Sequence, residues 1–197
     1  MLLVSKIVDG SIPNPLGTHL LLALGEEVKV AFTIRLIMGR AIRKCLFVLT
    51  NRQIIFYDLE LKTILGTVPL IKISEVSVEK NVLIGKEFRN TLKIGDMSAK
   101  CLIDILDKAF NVDDVAQALL KLRTMEVLRA NIVEGDFSWL KSLLDKGGIV
   151  LTTVKCPSCG GILGIPNEGK FIKCKYCGQT IFVEDVINII RGVIGLK

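Results

Sequence analysis

Leu46-Phe47-Val48-Leu49-Thr50-Asn51-Arg52-Gln53-Ile54-Ile55-Phe56-Tyr57 is the stretch that decides the larger part of the chain. Two runs rich in β-branched and aromatic residues flank the polar pair Asn51-Arg52, the pattern of a tight hairpin. Upstream, Val28-Lys29-Val30-Ala31-Phe32-Thr33-Ile34-Arg35-Leu36 alternates at period two, as a half-buried strand does. Downstream, strands fit Leu61–Val68, Ile71–Val78, Asn90–Ile94 and Lys100–Ile105, with Gly66, Gly85 and Gly95 marking turns or bulges. Short strands in series predict a mainly β fold with some α, a barrel or sandwich. Asn111-Val112-Asp113-Asp114 then opens a helix whose apolar face is Val115, Ala118, Leu119, Leu122 and Met125 or Glu126. A helix after a curled sheet has a simple place, plugging the open end.

Gly25-Glu26-Glu27-Val28, Leu49–Tyr57, Val68-Pro69-Leu70-Ile71-Lys72-Ile73-Ser74-Glu75-Val76 and the terminal helix resemble the PH-like superfamily, particularly bacterial and archaeal PH-like and GRAM-like domains. The resemblance implies a β-barrel with a plug helix, and binding in place of catalysis. Between Ala31 and Tyr57 the chain has no acid but carries Arg35, Arg40, Arg43, Lys44 and Arg52. In lipid-binding PH domains the loop between the first two strands clasps a phosphoinositide headgroup. Met38-Gly39-Arg40-Ala41-Ile42-Arg43-Lys44 lies at the matching place, so the resemblance implies Arg40, Arg43 and Lys44 as anion- or lipid-binding residues.

A second signal lies near the other end. Cys156-Pro157-Ser158-Cys159-Gly160 and Cys174-Lys175-Tyr176-Cys177-Gly178 are two Cys-x-x-Cys pairs with the spacing of a tetrahedral metal site. Gly160 and Gly178 can take the positive φ that turns backbone N–H groups onto the sulfurs. A redox dithiol is the competing reading, and paired Cys-x-x-Cys units favour metal. Four thiolates and one Zn2+ carry a formal charge of about −2, which Lys155, Lys173 and Lys175 beside the ligands offset. Between the knuckles, Ile162–Ile165 and Lys170–Lys173 are expected to pair across Pro166-Asn167-Glu168-Gly169, with Thr180–Val183 as a third strand. Over about residues 152–183 this resembles the zinc ribbon family. Zinc ribbons often contact nucleic acid, so Lys155, Lys170, Lys173, Lys175 and Tyr176 are the contacts of an alternative function.

The remaining segments read as helices. Asp136–Lys146 is ended by Gly147-Gly148, and its stripe of Phe137, Leu140, Leu143 and Leu144 packs on a domain or docks a partner. Trp139 lies off that stripe, as a contact residue would. Val183, Val186, Ile187, Ile190, Val193 and Ile194 form one face of a tail helix. Residues 1–25 hold the apolar segment Leu2–Val8 and the run Leu20–Leu24; His19, the single histidine, reads as a packed residue. The expected organisation is a PH-like domain over 1–130, a helical connector over 131–150, a zinc ribbon over 151–185 and an amphipathic helix over 186–197.

Composition narrows the function classes. Mean hydropathy of +0.51 is high, yet no apolar run approaches the roughly 18–20 residues of a membrane span. The start lacks a secretory signal, and Cys45 and Cys101 sit among apolar residues, so a reducing cytoplasm is expected. The formal charge of +6 permits anionic partners without demanding them. No nucleophile elbow, phosphate-cradling glycine loop or His-Glu-x-x-His occurs, so neither an enzyme nor a small-molecule substrate is expected. The leading reading is an adaptor that binds a protein, at an anionic membrane face through Arg40–Lys44, with a structural Zn2+. Nucleic-acid binding is its alternative.

Overall fold

A computed structural model describes residues 26–95 and 100–196. Leu2–Val8, His19, the Leu20–Leu24 run and Gly25 lie outside the described residues. The chain divides into two compact units, one reaching Arg123 and the other Thr124–Lys197.

In the first unit the alternation produces seven strands: β1 (Val28–Met38), β2 (Ala41–Thr50), β3 (Gln53–Asp58), β4 (Thr63–Pro69), β5 (Glu75–Ile84), β6 (Glu87–Gly95) and β7 (Lys100–Ile105). All pair antiparallel in one sheet, in the order β4-β3-β2-β1-β7-β6-β5. The ladder order therefore begins at β4 and ends at β5. A large antiparallel sheet followed by helix α1 (Val112–Arg129) fits a PH-like fold.

The Asn51-Arg52 turn forms as expected, and its chemistry is local. The Thr50 hydroxyl accepts from the N–H groups of Arg52 and Gln53, at 3.1 and 2.9 Å, and donates to the buried Glu26 carboxylate at 2.6 Å. Asn51 donates its N–H to the Glu27 carbonyl and accepts the Glu27 N–H on its side chain. One turn thereby fixes both the β2–β3 register and the start of β1.

The strand expected over Ile71–Val78 is not one strand. Leu70–Lys72 forms a short 3-10 turn, and β5 begins only at Glu75. Pro69 ends β4, and the Leu70 N–H turns to the Arg52 carbonyl at 2.8 Å, which draws fully buried Leu70 into the core.

Period two sorts the sheet's faces. Phe32, Ile34 and Leu36 of β1, Phe47 and Leu49 of β2 and Ile54 of β3 point to one core, and Val112, Val115, Ala116 and Leu119 of α1 complete it. Each valine, leucine, isoleucine or phenylalanine among them contributes about 1.5–3 kcal/mol on burial, and Ala116 less. Ala116, not Ala118, is the buried alanine of the helix. On the opposite face Leu46, Val48, Ile55 and Tyr57 form a smaller buried cluster, so β2 and β3 are covered on both sides over that length. Cys45 is buried as a small hydrophobe, and desolvation pushes its thiol up to about 11.

The second unit contains α2 (Phe137–Lys146), β8 (Thr153–Lys155), β9 (Ile162–Gly164), β10 (Phe171–Lys173), β11 (Thr180–Phe182) and α3 (Val183–Val193). Here the expected pairing is corrected. β8 pairs with β9 and β10 with β11, as two separate hairpins, so Ile162–Ile165 does not pair with Lys170–Lys173. Each Cys-x-x-Cys is itself the tight turn, and the ladder grows outward from it. Pro166-Asn167-Glu168-Gly169 connects the two hairpins and does not close one.

Phe137, Leu140 and Leu144 of α2 share one core with Val154, Leu163 and Ile181 of the hairpins and Val186, Ile187 and Ile190 of α3. The α2 stripe and the Val183, Val186, Ile187 and Ile190 part of the tail stripe are therefore packed, whereas Val193 at the end of α3 is 82% exposed. Trp139 also lies partly against this core, where its ring covers Gly135; a Cβ there would meet the Trp139 Cβ at 2.7 Å.

Candidate functional site

The two knuckles are built alike. At the first, the Cys156 N–H donates to the Gly161 carbonyl at 2.8 Å, and the Gly160 N–H to the Cys156 carbonyl at 2.9 Å. At the second, Cys174 donates to Gln179 at 2.8 Å and Gly178 to Cys174 at 2.9 Å. Gly160 and Gly178 have φ of 74° and 78°, the left-handed conformation these turns require.

The geometry brings all four sulfurs together, within 4.8 Å of one another. Cys156 Sγ lies 3.7 Å from Cys177 Sγ, and Cys159 Sγ lies 3.7 Å from Cys174 Sγ. A tetrahedron with metal–sulfur bonds of about 2.3 Å has edges of about 3.8 Å, so these separations suit one ion. Cys156 and Cys174 are buried at 2% exposure, whereas Cys159 and Cys177 are exposed.

Electrostatics makes the same point. The Cys177 N–H, with that of Tyr176, stabilises the Cys174 thiolate and pulls its pKa down to about 6. The N–H groups of Cys159 and Ser158 lower Cys156 likewise. The Gly161 N–H acts in that sense on Cys159, but the crowding by Cys177 and the other sulfurs, with desolvation, overrides it and pushes Cys159 up to about 12. Cys177 is raised by the same crowding against the Gln179 N–H. Backbone N–H groups thus favour ionisation of the inner pair, while the crowding of the sulfurs opposes it at the outer pair. This donor set fits a bound metal ion.

Basic residues form the other candidate surface. Arg40 sits in the two-residue turn between β1 and β2, but Arg43 and Lys44 are strand residues of β2, paired with Leu36 and Arg35. The expected loop is thus a hairpin end, because the alternation of β1 and β2 continues to Met38 and Ala41. Arg40, Arg43 and Lys44 are exposed and make no ion pair among the described residues. Arg35 instead pairs with Asp104, a 1%-exposed carboxylate, at 2.7 Å.

Sequence reasoning missed Lys86 and Arg89. With Arg35 and Lys44 they line an open cleft of ≈ 640 Å3 that also includes Glu60 and Glu87. Nothing local marks them, since only the β5–β6 turn at Gly85 (φ 64°) brings them there. On the unit that carries the four cysteines, Lys155, Lys170, Lys173, Lys175 and Tyr176 are all exposed, and the Lys175 ammonium sits 5.1 Å from the Tyr176 ring centre.

Protein-family models give no match to this chain. No curated protein matches it. Several solved structures are similar to about half of the chain. The N-terminal PH domain of Vps36 is 16% identical, over 52% of this chain and 83% of that chain, at TM-score 0.42. A DUF1696 family protein with a pleckstrin-homology domain, from Shewanella loihica, is 18% identical over 52% and 83%, at TM-score 0.36. The hSac2 domain of the human phosphoinositide phosphatase Sac2 is 14% identical over 54% and 73%, at TM-score 0.38. At these TM-scores the likenesses say nothing about what this chain binds.

Proposed function

We propose that this chain is a non-catalytic adaptor that engages another protein at an anionic membrane face and carries a structural Zn2+ on Cys156, Cys159, Cys174 and Cys177. The observation that carries the binding role is the β1–β2 hairpin end. Three exposed cations, Arg40, Arg43 and Lys44, stand there without an ion pair among the described residues, beside exposed Met38 and Ile42. Solvent-facing charge next to solvent-facing apolar surface suits an interface. A four-thiolate zinc site has no open coordination position, which supports a structural role for the ion. Four reduced thiols suit the cytoplasm.

The test is a pull-down with purified, zinc-quantified protein at low and moderate salt, with and without nuclease. A protein partner that survives both treatments is expected. Arg40→Glu, Arg43→Glu and Lys44→Glu together should abolish sedimentation with anionic vesicles; equal sedimentation of the variant and the parent removes the hairpin from the reading.

A second reading is nucleic-acid binding through the metal-bearing unit. Lys155, Lys170, Lys173 and Lys175 are exposed and form no ion pair among the described residues, and Tyr176 is 62% exposed. That reading predicts partners lost on nuclease treatment and binding that falls steeply with salt.

A further inference from the structure

Among the described residues of the first unit, every strongly exposed large apolar side chain flanks one of three hairpin turns. Met38 and Ile42 bracket the β1–β2 turn, and Leu61, Ile64 and Leu65 lie at the β3–β4 turn. Leu83 and Phe88 are cross-strand partners beside the β5–β6 turn, exposed at 60% and 72%. A leucine and a phenylalanine paired on one solvent-facing rung contrast with Phe32, Phe47 and Ile54, whose side chains fill the core.

The same turns carry the cations. Arg40, Arg43 and Lys44 stand at the first, Lys62 at the second, and Lys86 and Arg89 at the third. Against them stand Glu60 and Glu87, the latter bonded to Arg89. The three turns are neighbours: Ile42 and Lys44, Glu60, and Gly85 and Lys86 all border the one cleft. Asp104 lies by this cleft's wall, but it is held by Arg35.

We propose that these hairpin ends form a bilayer-insertion surface, in which Leu83 and Phe88, with Met38 and Ile42, enter the headgroup–acyl boundary of an anionic membrane. Arg40, Arg43, Lys44 and Lys86 then meet the lipid phosphates. The inference rests on the membrane part of the proposed function and deepens it. The mosaic decides for a bilayer over a protein surface. The core of a protein interface excludes lysine, because each ammonium must be desolvated against its partner. A bilayer boundary accepts apolar and basic side chains side by side, since the former partition inward while the long basic stems keep their charges at phosphate depth.

The experiment uses the full-length, zinc-loaded protein with phosphatidylcholine vesicles, with and without phosphatidylserine. Sedimentation with the serine-lipid vesicles is expected, with a fraction that resists salt. Leu83→Ser with Phe88→Ser should weaken this binding about tenfold and abolish the salt-resistant fraction; both side chains are exposed, so the fold is retained. In Phe88→Trp, the introduced indole should shift to the blue on binding and be quenched by brominated acyl chains, beyond any change seen in the parent from Trp139.

Equal binding by the double serine variant, with no quenching, overturns insertion while the electrostatic role of Arg40, Arg43 and Lys44 stands. Complete release of the parent by free inorganic phosphate means headgroup capture alone and also overturns it. Absence of vesicle binding by the parent overturns the inference and the membrane part of the proposed function together; the protein partner is then judged by the pull-down.

Discussion

Asp136 holds two elements with one carboxylate. Its Oδ1 accepts the Ser138 hydroxyl at 2.7 Å and the N–H groups of Ser138 and Trp139, at 2.9 and 3.3 Å, which caps α2. Its Oδ2 accepts the Gly169 N–H at 3.2 Å, while the Phe137 N–H returns to the Gly169 carbonyl at 2.9 Å. The connection between the two hairpins is therefore pinned to the start of a helix. The Ser138 hydroxyl, then the Trp139 N–H, favour the ionised form and hold the Asp136 pKa down at about 2. A carboxyl lowered on folding stabilises the fold above its unfolded value, near 4, and loses that contribution only as pH falls toward 2. At neutral pH the effect is complete. Melting of the second unit at pH 7 should rank parent above Asp136→Asn above Asp136→Ala; equal melting of all three would show that the cap is dispensable.

At the scale of elements, α2 ends where space runs out. Gly147 is buried against Thr124, and a Cβ there would meet the Thr124 Cβ at 2.7 Å, on a side chain already held to the Leu143 carbonyl at 3.0 Å. Gly147→Ala should cost about 1–3 kcal/mol, read as a lower urea midpoint; an unchanged midpoint would mean that the contact relaxes freely. The glycine was legible as a helix stop, but not as a packing site, because its neighbour belongs to the preceding helix. The same division holds elsewhere. Strands with one buried face declared themselves through alternation, and β7 appears over Lys100–Ile105 as expected. β5 did so only over Glu75–Val78, since Glu79-Lys80-Asn81 then interrupts its pattern at an irregular register opposite Thr91 and Arg89. The Leu83–Phe88 rung was invisible for the opposite reason. Its composition is that of a core strand, and only the fold shows that its face meets solvent.

At the scale of the whole chain, the cysteine spacing announced the cluster of four sulfurs, but it hid the extent of the core built around it. α2, both hairpins and α3 share one core with Cys156 and Cys174 in it. Removing the metal should therefore loosen the entire second unit, not the knuckles alone. With a chelator, or with Cys174→Ser, amide protection should be lost across Phe137–Lys146 and Val183–Val193 while β1 to β3 keep theirs. Protection of α2 and α3 that persists without metal would leave the centre as an ornament on a core that stands unaided.

The two outer sulfurs, Cys159 and Cys177, face solvent, and the two inner ones do not. An oxidant or a competing chelator thus has a single side of approach, and its first encounter is with one thiolate from each knuckle. For any ion that the four sulfurs hold, attack from solvent would begin at Cys159 and Cys177, while Cys156 and Cys174 stay shielded by the core.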